Sequence, residues 1–289
     1  MLFPYVGIEK RALDMYISDI EKSDMSPESK LIATLSAKTT IKKLKNQKSV
    51  ADQAVLNAKE DTVFDASSGV NHDWLERFMD SAGFVSESQV QQMWGKILAK
   101  EFEAPGSTPH NMIRILSEIT SKHAEAFQKI CSMKRLSVFI DCSGSDQTFR
   151  NDIVVPYEGN EAEFHALGLS FDMLNELDTL GLIKFNSIAG FVALNVPDKG
   201  IITYIDGMTQ EVDMHKKNKL PIGNVMLTEA GDCLCRIIQP TPIPNYISLE
   251  KKYMISNGIV FKEKPGYLIL DTGNGQFSLH KVSEPSMCD

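Results

Sequence analysis

Apolar residues recur at helical spacing through the first half of the chain and in short alternating runs through the second, so the period alone divides the sequence. A first helix is expected from about Glu9 to Glu21, with Leu13, Ile17 and Ile20 on one face. Ser26-Pro27-Glu28 supplies an N-cap, a proline in the first turn and an early acid, and opens a second helix running to about Lys48. Its apolar positions Leu31, Leu35, Ile41 and Leu44 are expected to face inward. A further helical stretch, about Val50 to Lys59, leads to a Ser67-Ser68-Gly69 linker.

Both tryptophans fall in the next segment. Asp73-Trp74 opens a helix with Trp74, Phe78 and Ala82 inward, and Ser86 with Gln89 reads as the capping box of the following one. There Val90, Trp94, Ile97 and Leu98 form an apolar stripe, Lys96 and Lys100 face out, and Pro105-Gly106 ends the run. Met112, Ile115, Leu116 and Ile119 fit a third amphipathic helix, and Ala124, Phe127, Ile130 and Cys131 a fourth starting at Thr120 or Ser121.

After Arg135 the period changes. Ser137 to Ile140 and Ile153 to Val155 read as strands, and Ser170 caps a helix with Met173, Leu174, Leu177 and Leu180 inward and Gly181 at its end. Ile183 to Phe185 and Phe191 to Leu194 read as a hairpin, and Thr228-Glu229 as the capped start of another helix. Helix, hairpin and helix in that order suggest a winged helix. From about Ile259 to Leu279 the chain alternates like antiparallel strands. The fold class expected is therefore α+β: a small helical bundle in the N-terminal half, then a winged-helix-like α+β part. The divisions are 1–66 (a helical segment with a basic helix), 67–135 (the bundle module) and 136–289 (the α+β domain).

Charge sharpens this picture. Residues 1–66 hold ten basic and ten acidic side chains, residues 67–135 eight of each, and residues 136–289 twelve against twenty, so the net charge of −8 arises in the last segment. That argues against a general nucleic-acid coat. Six lysines between Lys30 and Lys48 meet no intervening acid, and Lys38, Lys42, Lys43, Lys45 and Lys48 are the candidate contacts to a nucleic acid or a protein partner. On the side of a winged helix that would face DNA, Asp172, Glu176 and Asp178 would repel phosphate, which favours protein contact there. No apolar run is long enough to span a membrane and no secretory signal opens the chain, so a cytoplasmic protein is expected.

Chemistry is harder to find. Five cysteines include no C-x-x-C pair, and free, partly buried thiols are the expectation. Six histidines are scattered without ligand spacing; His72-Asp73 with Glu76 is the nearest approach to a metal set, and capping and solvation account for it more simply. Cys142 and Ser143 have no partner base. Glu101 is read as a structural carboxylate paired with Lys96, Arg114 or a helix end. No catalytic residue, metal or cofactor is assigned. Trp74, Phe78, Trp94, Glu101 and Phe127 are assigned to structure.

The ordered series Asp73-Trp74-x-x-x-Phe78, Gln91-x-x-Trp94-x-x-Ile97-Leu98-Ala99-x-Glu101, Pro105-Gly106 and Ala124-x-x-Phe127 resembles a family of uncharacterised bacterial proteins sharing a domain of unknown function. Pro4-Tyr5-x-Gly7-Ile8 and Lys45-Asn46-Gln47-Lys48 add to the likeness, which covers about residues 1–135 well and the rest loosely. Gly95 stands where that family usually has alanine, and Ser107-Thr108-Pro109 where it favours a Ser-Arg-Thr-like start. The resemblance transfers no catalytic residue, and its association with mobile or prophage-like contexts suggests anti-phage defence by analogy alone. The expectation is a non-enzymatic interaction or scaffold protein that binds itself or a protein partner as a homo-oligomer. The alternative is a nucleic-acid-binding regulator using helix 30–48, the winged-helix-like part, or both.

Overall fold

The computed structural model describes residues 10–140, 147–214, 219–262, 267–273 and 276–281. The fold is α+β, helical first and strand-rich afterwards. It divides into two compact units: Met1–Ala124 with Asp232–Ile237, and Glu125–Gly231 with Ile238–Asp289.

The first unit contains α1 (Lys10–Lys22), α2 (Pro27–Asn57), a 3₁₀ turn (Ala66–Ser68), α3 (His72–Ala82), α4 (Ser88–Glu103), α5 (Met112–Glu118) and the start of α6 (Ser121–Cys131). Ser26 caps α2 as the sequence suggests, its Oγ accepting the Ser29 N–H at 3.2 Å. With neither glycine nor proline after Pro27 to interrupt it, α2 continues for 31 residues as one helix, where two stretches were expected. Its inner face packs on α4 through Val50, Ala51 and Ala54. Leu31 and Leu35 are outside that contact and are more than half exposed, against expectation; Ile41 and Leu44 are half-buried. Helical spacing says which residues share a face, but not whether a neighbour covers it.

Asn71 starts α3 by accepting the Trp74 N–H at 3.0 Å. Trp74 stacks on Phe78 (ring centroids 4.8 Å apart), and Phe78 tilts against Trp94 at 4.6 Å. Trp94 Nε1 donates to the Leu116 carbonyl at 3.1 Å, tying α4 to the last turn of α5. The capping box expected at Ser86 is absent: the chain stays extended through Glu87 and α4 starts at Ser88. The Glu87 carboxylate instead accepts the backbone N–H and hydroxyl of Ser121, serving the next helix start but one.

A polar seam joins these helices. The Asn46 amide donates to the Gly83 carbonyl (2.8 Å), Gln47 to Met79 (2.8 Å) and Gln91 to Val85 (2.7 Å). Ser49 completes it by donating to Gln91 Oε1 at 2.8 Å. The Gly83 and Val85 carbonyls lie beyond the end of α3 and take these side-chain donors, and the Met79 carbonyl accepts Gln47 in addition to the Gly83 N–H at 3.1 Å. Beside the seam, α2 and α4 approach almost to backbone contact at Gly95. A Cβ there would lie 2.4 Å from Gln53 Cβ and 2.9 Å from Ala54 N.

The second unit is built on an antiparallel five-stranded sheet in the order β2-β1-β5-β6-β9: β1 (Lys134–Ile140), β2 (Gln147–Ile153), β5 (Lys199–Tyr204), β6 (Thr209–Asp213) and β9 (Val260–Phe261). Phe139, Ile202 and Val212 from the sheet and Met254 from α10 (Tyr246–Ser256) belong to one buried cluster. Gly200 lies opposite Phe139, leaving room for its ring. Cys142 and Ser143 lie outside the described residues.

α7 (Glu161–Ala166) and α8 (Phe171–Leu180) follow, the latter capped by Ser170 and closed by Gly181 in the left-handed region, as its sequence indicates. β3 (Ile183–Phe185) and β4 (Phe191–Leu194) do not pair with each other as expected. β3 pairs with β8 (Val225–Leu227), and β4 with β7 (Lys219–Gly223). Asn224 fixes this arrangement. Its Oδ1 accepts the Tyr157 and Glu158 N–H groups (2.9 and 3.1 Å), and its amide donates to the Asn186 carbonyl at 2.8 Å. The chain continues through α9 (Glu229–Cys235), with Thr228 capping it by accepting the Gly231 N–H. It ends in an antiparallel hairpin, β10 (Tyr267–Gly273) with β11 (Gln276–Lys281).

Replacing Gly95 with alanine is expected to destabilise the protein by about 1–3 kcal/mol through overpacking, although alanine in an open helix would gain about 1 kcal/mol. Thermal unfolding decides the sign, and a raised midpoint would show that α2 and α4 can separate cheaply.

Candidate functional site

On α2, Leu31, Leu35, Lys38, Lys42 and Lys45 follow one another at i, i+4, i+7, i+11 and i+14, which places them along one face. All five are exposed, as is Ile32 beside them. Met15 and Tyr16 on α1 and Met25 in the connection are also exposed apolar side chains. The structure separates the five candidate lysines into two groups. Lys43 pairs with Asp80 at 3.3 Å and lies 4.0 Å over the Phe84 ring, and Lys48 pairs with Asp52 at 2.5 Å. Lys38, Lys42 and Lys45 point outward together.

The other candidates sit in the interior. Trp74, Phe78, Trp94 and Phe127 are buried. Glu101, 4% exposed, accepts the Gly106 N–H at 2.6 Å through one carboxylate oxygen and the Thr108 N–H at 3.0 Å through the other. It organises the Pro105-Gly106 loop, with neither Lys96 nor Arg114 as its bonded partner. Among the described residues no group of three His, Cys, Asp or Glu side chains is placed to hold a metal ion. No described helix is long and apolar enough to cross a membrane.

The strongest electrostatic perturbation lies in the second unit, at residues that sequence reasoning did not single out. Arg135 on β1 stands between its cross-strand neighbours Asp152 on β2 and Tyr204 on β5, so the three form a row on one face of the sheet. From α10, Glu250 pairs with Arg135 Nη1, both side chains being wholly buried. One turn earlier Tyr246 donates its hydroxyl to the Val154 carbonyl at 2.7 Å, with the Met133 carbonyl 3.2 Å away. These contacts hold α10 to the sheet. Arg135 Nε and Nη2, Glu250 Oε2, Asp152 Oδ2, Ser137 Oγ and the Tyr204 hydroxyl have no partner at hydrogen-bond geometry among the described residues.

Burial dominates the electrostatics. It pushes the Glu250 carboxyl above its usual range despite the opposing pull of Arg135. It also opposes the charge on Arg135, but Glu250, Asp152 and the two tyrosines outweigh it and hold the guanidinium more firmly protonated than usual. Tyr204 and Tyr246 are raised, first by burial and then by the Glu250 charge. Arg150 on β2 adds a second pair, 3.3 Å from Asp152, so the clamp is charge-balanced, Arg135 and Arg150 against Glu250 and Asp152. It restrains a helix. Its partners lie 115 residues apart in the chain, and no local pattern announces their meeting.

Removing only Glu250 (as Glu250→Gln) or only Arg135 (as Arg135→Met) is expected to cost about 3–5 kcal/mol, because an uncompensated charge is left inside. The double variant Arg135→Met with Glu250→Leu should recover most of that loss in chemical denaturation. A double variant as unstable as the sum of the two singles would refute the clamp.

The surface of α2 and the buried clamp fall largely within the span matched by a family described as protein of unknown function (DUF2806), residues 35–250. Neither the curated proteins nor the solved structures offer a significant match. The match spans well over half of the sequence, and the chain belongs to the DUF2806 family.

Proposed function

We propose that this protein is a non-enzymatic interaction component that self-associates through the outer face of α2. The observation that carries this reading is the exposure of Leu31, Ile32 and Leu35 together (61%, 68% and 55%) on a helix whose other end is embedded in a bundle. Apolar side chains scattered singly over a surface need no explanation, but a contiguous group on one helix face favours a partner. Lys38, Lys42 and Lys45 extend the same face and add electrostatic selectivity. A cytoplasmic scaffold of this kind would suit the prophage or anti-phage settings suggested by the family resemblance.

The three outward lysines also support a second reading, a regulator that binds nucleic acid through phosphate contacts. No aromatic side chain interleaves with them, so base stacking is not part of it. Leu31→Glu with Leu35→Glu should lower the solution mass to that of one chain, 32.2 kDa, without loss of helical circular dichroism. Unmodified protein that sediments as a single chain at high concentration would end the leading reading. A mobility-shift assay at low salt examines the second, and absence of binding there removes it.

A further inference from the structure

Resting on the self-association reading, we propose that the apolar and basic face of α2 docks onto an acid-rimmed aromatic patch at the start of α8 in a second copy of the chain. The patch is built as follows. Phe171, the first residue of α8, is about half exposed and meets Phe185 edge-on at 5.6 Å. Phe185 in turn meets Tyr157 at 5.5 Å, and Tyr157 packs on Phe164 at 5.8 Å. The inner rings fix Phe171 in place, so its outer surface is presented at little further entropic cost on binding.

Carboxylates border this ring cluster. Asp172 follows Phe171 and is exposed, and Glu161 and Glu163 are exposed on α7. Burial raises the pKa of the Tyr157 hydroxyl first, and the negative charges of Glu161 and Asp172 raise it further, which places both carboxylates around the same aromatic group. Among the described lysines, Lys184 pairs with Asp178 at 3.5 Å and Lys129 donates to the Leu167 carbonyl. The patch therefore offers an apolar ring with exposed carboxylates beside it.

The face of α2 is its complement. Leu31 and Leu35 match the exposed ring, and Lys38, Lys42 and Lys45 match the acids over about 21 Å of helix at 1.5 Å per residue. An ammonium placed over Phe171 would gain a cation–π contact as well. The occupant is a second copy because one chain carries both halves: its excess of acid lies wholly after residue 135, and its longest acid-free run of lysines lies before residue 49.

A charge-reversal experiment tests this through sedimentation equilibrium on the full chain. Lys38→Glu with Lys42→Glu and Lys45→Glu makes the α2 face acidic, and Glu161→Lys with Asp172→Lys makes the patch basic. Each variant alone should associate about tenfold more weakly or worse. An equimolar mixture of the two should associate again, since each acidic α2 face then meets a basic patch and each basic α2 face an acidic patch. Association of the unmodified protein should weaken as salt rises, a measurement that depends on no variant folding correctly. If the unmodified protein associates but ignores both salt and the Glu161 and Asp172 reversals, this docking is overturned while self-association through α2 stands. If the unmodified protein is a single chain at high concentration, both fail together.

Discussion

Withdrawing a hydrogen-bonding group from water is costly unless it is matched inside the protein, and this constraint shapes both units without being met at every atom. In the first, the packing of α2 and α4 removes the carbonyls at and just beyond the end of α3 from water. Asn46, Gln47 and Gln91 answer them, which is why amides rather than aliphatic side chains occupy those buried positions. In the second, the row of Asp152, Arg135 and Tyr204 crosses three strands in the interior, and α10 brings Glu250 to meet it. Such a pair adds little net stability over a well-packed apolar one. What it fixes is position, because an arginine buried at one point of a sheet accepts a carboxylate at one register of the covering helix.

The sequence was most informative where the physics is local. Ser26 and Ser170 cap helices, Gly181 ends one, and Trp74, Phe78 and Trp94 lie inward at their helical spacings. It was less informative wherever a partner comes from far away. The capping box at Ser86 failed because the chain stays extended for one more residue, Glu87. The hairpin of β3 with β4 failed because each strand found a distant partner, with Asn224 bonded at the junction. Leu31 and Leu35 have the spacing of core residues, and only the packed structure shows them more than half exposed. The lysines were legible as a group; that Lys43 and Lys48 are spent on Asp80 and Asp52 was not.

The same separation runs through the candidate surfaces. Trp94 and Glu101, which belong to the series on which the family resemblance rests, are consumed by internal bonds, whereas the exposed side chains of α2 and α8 lie outside that series.

The length of α2 has a mechanical consequence. Thirty-one residues without a break form a rod of about 46 Å at 1.5 Å per residue. One half is clamped by Gly95 and the amide seam, and the other carries the exposed leucines and lysines. A rod of this kind has no hinge at which a disturbance could dissipate. A torque applied at Leu31 would be carried along the rod to Asn46 and Gln47, where the amide seam holds it.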